Sequence, residues 1–217
     1  MQYADYIIKD EGVIRSVVTL GDKSTPVWAQ SRWDTGEYQE FVRKNGCGHC
    51  CCAMALNLYG IKIDPHGEFA LCRRLWGEPK EHQGNYQTVS GITKILNRHG
   101  VAAQCFGVPS GESAAAHIET ALQGGKQVII WSPGKRTYPD SPFSERGHYI
   151  LAVGYTKDGM ILVANSSEKM APTGVQTVDI DTVARALYFD SEPRDRTWGE
   201  RDDHKYNAGY VVVGSRD

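Results

Sequence analysis

The chain has 217 residues, 41% hydrophobic and 23% charged, which is enough to bury one substantial core and, by default, one catalytic domain. A formal net charge of −2 with no Lys/Arg-rich run leaves no electrostatic footprint for nucleic acid or an anionic membrane, so neither is expected as a partner. No stretch of about 18 apolar residues could span a bilayer, and Met1 to Tyr6 lack the basic-then-apolar order of a signal peptide; the expected origin is cytoplasmic, or phage-encoded and released, unless a leader has been removed.

In chain order, residues 3–30 alternate loosely around Gly12 and Gly21 and read as short strands or an extended arm. A polar segment leads to Asn45-Gly46-Cys47-Gly48-His49-Cys50-Cys51-Cys52-Ala53-Met54, which runs into a helix stopping at Gly60 and places Cys47 at its N-terminus. There the partial positive charge of a helix start is expected to lower the thiol pKa, and the flanking glycines to let a substrate main chain approach. Helical spacing puts Cys50, Cys51, Met54 and Leu58 on one core-facing stripe. Asp64-Pro65 opens a helix from His66 to about Trp76, ended by Gly77, and Thr88 to Arg98 form another, closed by His99-Gly100.

Val101–Phe106 reads as a strand, Ser113–Gln123 as a helix and Gln127–Trp131 as a buried strand, with Trp131 a candidate cleft residue. Residues 132–147 form a long loop, expected to gate a cleft because structureless loops of that length in compact domains are usually functional. His148–Tyr155 and Met160–Asn165 make a hairpin around Lys157-Asp158-Gly159. If Tyr155 pairs with Met160, Ile150 faces Asn165, and His148 lies diagonally across on the same face, within side-chain reach; a one-residue slip would separate them. Glu192–Lys205 is a mixed-charge loop, and Ala208–Gly214 a strand completing the sheet.

A thiol at a helix start, a His at a strand start and an Asn on the next strand supply the parts of a cysteine-nucleophile enzyme. Gly46-Cys47-Gly48 with Ala53-Met54, Gly147-His148-Tyr149-Ile150-Leu151-Ala152-Val153-Gly154-Tyr155 and Val163-Ala164-Asn165-Ser166 together resemble, in order, the three boxes of C39-like, papain-like cysteine peptidases. The resemblance covers about residues 30–166. It implies an α+β papain-like fold, an N-terminal helical half (30–125, after an arm at 1–29) packed on a C-terminal antiparallel sheet half (126–217) in one catalytic domain.

By the same resemblance Cys47 is the nucleophile, His148 the general base and acid, Asn165 the orienting group, and an upstream Gln the oxyanion donor. Gln30, followed by Trp33, is preferred to Gln39. The chain departs from the family in carrying His49-Cys50-Cys51 after Gly48, which makes Cys50 a rival nucleophile. The implied reaction is hydrolysis of a peptide or isopeptide bond, with cell-wall cross-links one target class. No transporter segment accompanies the chain, so a leader-peptidase role is not expected.

Two further classes compete, beside acyl transfer on the same fold. Cys47-Gly48-His49-Cys50 resembles the Cys-Gly-His-Cys of disulfide isomerases, although Phe41–Gly46 is a poor match for the strand that should precede it. Cys47, His49, Cys50, Cys51, Cys52, His66, Cys72 and His82 offer zinc ligands, but no second ligand pair has knuckle spacing, so neither metal nor cofactor is expected. The four cysteines at 47, 50, 51 and 52 lie too close together to staple distant segments, which favours reducing surroundings.

Overall fold

In the computed structural model, residues 2–34, 36, 38–76, 88–107, 111–135, 139–187 and 209–214 are described. Gly77, His82 and Glu192–Lys205 lie outside them. Residues 3–30 form an antiparallel three-stranded sheet, β1 (Ala4–Glu11), β2 (Ile14–Leu20) and β3 (Lys23–Trp28), followed by a single turn of 3-10 helix over Gln30–Arg32. Four helices follow: α1 (Gln39–Asn45), α2 (Cys47–Leu58), α3 (Pro65–Trp76) and α4 (Val89–Arg98). Beyond them run β4 (Ala103–Gly107), α5 (Gly111–Gln123), β5 (Gln127–Ser132), β6 (His148–Tyr155), β7 (Ile161–Ala164), β8 (Val175–Val178), α6 (Ile180–Ala186) and β9 (Gly209–Val213).

The helix ends follow local chemistry. Asp64 Oδ1 accepts from the Gly67 N–H at 2.7 Å, and Thr88 Oγ1 from the Gly91 N–H at 2.8 Å, each answering an otherwise orphan donor of a first helical turn. Gly60 and Gly100, at φ +82° and +78°, end α2 and α4 in the left-handed conformation.

The second sheet is antiparallel, in the order β4-β9-β5-β6-β7-β8. Val128, Ile130, Ile150, Ala152 and Val163 turn to one face, against α5 and α6; Ile129, Leu151, Val153, Leu162 and Ala164 turn to the other, with α2 and α4. A sheet covered on both faces explains why residues 127–131 and 148–154 read as continuous apolar runs. β9 completes the sheet from inside, between β4 and β5.

α2 is the central element, packed by β3, β6, α3 and α4. Here the expectation of a single core-facing stripe fails: every residue from Gly48 to Leu58 is buried. A helix apolar all round belongs inside a core, and full burial of Met54, Leu56 and Leu58 is worth about 1.5–3 kcal/mol each. Four elements go beyond those expected: the 3-10 turn, α1, β8 and α6. The last carried a legible signal, since Asp179 accepts from the Thr182 N–H at 2.6 Å as an N-cap.

The hairpin register is a correction with a compensating turn. Tyr155 pairs with Ile161, not Met160, because Thr156 closes a longer turn by donating its N–H to the Met160 carbonyl at 2.7 Å. A bulge between Ala152 and Gly154 absorbs the extra residue, so Ala152 pairs with Val163 and Leu151 with Ala164. Beyond the bulge the pairing is the one the sequence pattern implied, and His148 and Asn165 share a face.

Candidate active site

β6 begins at His148 and β7 ends just before Asn165, so the two side chains meet at one end of the hairpin: His148 Nε2 lies 2.9 Å from Asn165 Oδ1. The orientation of the amide is set by its other contacts. Asn165 Nδ2 donates to the Phe143 carbonyl at 3.0 Å and to Gln176 Oε1 at 2.8 Å, while Oδ1 also accepts from the Ser167 N–H at 2.9 Å. With both amide hydrogens committed, Oδ1 must be the atom facing the ring, so His148 Nε2 carries the hydrogen and Nδ1 keeps its lone pair. Gln176, on β8, is held in turn by donating to the carbonyls of Pro142 at 2.8 Å and Met170 at 3.3 Å.

The sequence pattern did not single out Gln176 or Phe143. A lone Gln in a short strand and an aromatic in a loop carry no signal until the loop is seen to fold beneath Asn165. Residues 139–147 are anchored: Phe143 is fully buried among the α5/α6-side core, and its carbonyl and that of Pro142 support the Asn165–Gln176 pair.

Cys47 opens α2, and the backbone N–H groups of Tyr149, Gly48 and Cys47 itself face its sulfur, which sets the thiol against the first residues of β6. The expected lowering of its pKa is reversed: burial pushes the thiol up, against the pull of those three N–H groups. Burial likewise pushes His148 down to about 4, opposed by the Asn165 hydrogen bond. Both shifts favour the uncharged forms, thiol and imidazole alike. Cys47 is half-buried, whereas Cys50, Cys51 and Cys52 are fully buried with thiols raised by desolvation, so on access Cys47 is favoured over Cys50.

Glycines flank Cys47 on both sides. Both are buried, and a Cβ on Gly46 would lie 2.4 Å from the Val42 carbonyl oxygen, so glycine here lets α1 pass straight into α2. A helix, not a strand, therefore precedes Cys47-Gly48-His49-Cys50, which removes the strand a thioredoxin-type motif requires.

Gln30 reaches the site through the N-terminal sheet. Ala29 donates its N–H to the Val13 carbonyl at 2.8 Å and Gln30 its N–H to the Ser166 carbonyl at 3.0 Å, fixing the residue beside the Asn165 turn. Its side-chain amide donates to the Arg43 carbonyl at 3.2 Å. Gln30 and His148 line one open groove of about 650 Å³, with Arg43, Arg146, Ser166 and Glu168. Arg32 and Ser31 both bond Glu168, tying the turn after β3 to the groove wall. Gln39 is exposed at the start of α1 and is not part of that lining. Trp131 packs beside Gly147, where a Cβ would come within 3.0 Å of its ring.

Of the zinc-ligand candidates, His66 is engaged elsewhere: its Nε2 accepts from the Tyr38 N–H at 3.1 Å. No described helix is long and apolar enough to cross a membrane.

The structure is similar to a double glycine motif protease from an AMS/PCAT transporter, solved in complex with the leader peptide (11% identity, 79% of this chain and 86% of that one, TM-score 0.45). It is similar also to the peptidase domain of Streptococcus ComA, a bi-functional ABC transporter involved in a quorum-sensing pathway (12% identity, 80% and 93%, TM-score 0.45). A third likeness is to a protein described as a C39-like peptidase from Bacillus anthracis (11% identity, 80% and 90%, TM-score 0.49). A search of curated proteins returns no match. The model of the Peptidase_C39 like family matches residues 24–191, a span that holds the Cys47 helix and the whole His148 hairpin. With that match over an α+β, papain-like arrangement of helices on antiparallel strands, the chain belongs to the Peptidase_C39 like family and is a cysteine peptidase.

Proposed function

We propose that Cys47 is the nucleophile, His148 the general base and acid, Asn165 the group that orients it, and Gln30 a donor to the oxyanion, in hydrolysis of a peptide or isopeptide bond. The observation that carries this reading is the His148–Asn165 hydrogen bond with its amide locked by Phe143 and Gln176, because it leaves the imidazole Nδ1 lone pair as the proton acceptor. Cys47 Sγ attacks the carbonyl carbon as its proton passes to Nδ1. The carbonyl oxygen becomes an oxyanion facing the Cys47 N–H, and the Gln30 amide exchanges its bond to the Arg43 carbonyl for this stronger acceptor, worth about 3 kcal/mol. His148 then returns the proton to the departing amine, and a water deprotonated by His148 releases the acyl group from sulfur.

The groove next to His148 carries Arg43, Arg146 and Lys169 together with Glu145 and Glu168, a lining suited to an extended polar peptide, cell-wall peptides included. The test is brief treatment with a substoichiometric thiol alkylator, followed by intact mass and peptide mapping, alongside turnover of a quenched peptide library by wild type and His148→Ala. Single labelling at Cys47 that collapses with turnover in His148→Ala is the expected result. Labelling at Cys50 would move the nucleophile, and a reversible Cys47–Cys50 disulfide indifferent to His148 would return the redox reading. Added amine nucleophiles in the same assay separate hydrolysis from acyl transfer by their products.

A further inference from the structure

Two residues along α2 from Cys47, a rotation of about 200° turns the side chain to the opposite flank, against α3. There His49 Nδ1 meets Glu68 Oε2, and Cys72 Sγ donates to Glu68 Oε1 at 3.1 Å. One ligand atom from each of the three lies within 4.8 Å of the others, and the residues are 1%, 0% and 0% exposed. Glu68 is the only carboxylate buried among the described residues. A buried carboxylate needs a compensating charge as well as hydrogen bonds, and an imidazole, a carboxylate and a thiol converging in a buried pocket are donors that suit zinc.

We propose that His49, Glu68 and Cys72 bind one zinc ion that clamps α3 to the first turn of α2, on the flank opposite the groove. The donors are His49 on α2 facing Glu-x-x-x-Cys on α3. Helical spacing, not a knuckle, brings Glu68 and Cys72 onto one face, and a glutamate replaces one of the expected ligands. On binding, the Cys72 thiol releases its proton to solvent as the zinc–sulfur bond forms. Glu68 binds as the carboxylate, and His49 carries its hydrogen on Nε2 so that Nδ1 is the donor. All three donors are buried on the flank away from the groove, so the ion holds α2 in place without taking part in the peptidase chemistry.

The experiment takes the full chain, purified without chelator, adds a slight excess of zinc, removes unbound metal by gel filtration, and measures metal content and zinc-edge X-ray absorption. About one zinc per chain is expected, with one sulfur at about 2.3 Å and N/O donors at about 2.0–2.2 Å. Cobalt in place of zinc should give thiolate charge-transfer bands that are lost in Cys72→Ser and unchanged in Cys47→Ala. Should Cys72→Ser fail to fold, the sulfur count on the unmodified chain decides. Less than about a tenth of an equivalent of zinc, a shell without sulfur, or cobalt bands abolished by Cys47→Ala would overturn the proposal.

Discussion

Two buried histidines flank the same helix and are partnered in opposite ways. His148, at the groove, is held by a neutral amide whose hydrogens are spent elsewhere; His49, on the α3 side, is held by a carboxylate that a thiol also bonds. A neutral partner fixes the ring without supplying a charge, so its second nitrogen stays available to a proton in transit. A carboxyl partner in a sealed pocket ties the ring into a buried hydrogen bond that serves packing or a cation, not turnover. Burial alone does not mark a histidine as catalytic; the charge of its partner and its access to a groove do.

The largest effect that separates the two sites is on turnover: His148→Ala is expected to lower kcat/KM by about 10⁴-fold or more with the fold retained, measured on any cleaved peptide. Glu68→Ala is expected to do the reverse, leaving the groove intact but costing about 3–5 kcal/mol in urea unfolding, because His49 and Cys72 lose a fully buried partner. Equal loss of activity in both variants, at matched folded fraction, would dissolve the contrast.

pH sharpens it next. His148 sits at about 4 in the fold against about 6.5 unfolded, so between these values the unfolded chain binds more protons. Its contribution to stability is full above about pH 6.5 and is lost as pH falls towards 4, up to about 3 kcal/mol, and kcat/KM should show its acid limb near pH 4. Unfolding curves of His148→Gln should be flatter over that window; an unchanged slope would remove His148 as the source.

Gly46→Ala should cost about 1–3 kcal/mol through the Val42 contact that couples α1 to α2. Least of all, Gln176→Ala should lower kcat about tenfold with KM unchanged, as the Asn165 amide loses one acceptor. In an Asn165→Ala background the same change should have no further effect, which distinguishes a positioning role from general destabilisation.

The sequence by itself determined what depends on local pattern. Caps at Asp64 and Thr88, stops at Gly60 and Gly100, the apolar runs of β5 and β6 and the order of the three boxes were all legible because each is set by residues near in the chain. α1 was not legible, since Gln39–Asn45 offers only Phe41 and Val42 as apolar residues. The burial of α2 on every side was not either, because periodicity marks one face and cannot say how many neighbours will cover the others. Register was half-legible: alternation paired the His148 end correctly, while the turn and the bulge, two one-residue offsets that cancel, belong to the folded hairpin.

Tertiary structure alone decided which distant polar groups meet. Gln176 and Phe143 lie 11 and 22 residues from the asparagine they fix, and His49, Glu68 and Cys72 converge only because α2 and α3 pack face to face. A side chain's type is written in the chain, but its partner and its dielectric are set by packing, and these decide whether a buried histidine carries protons or holds two helices together.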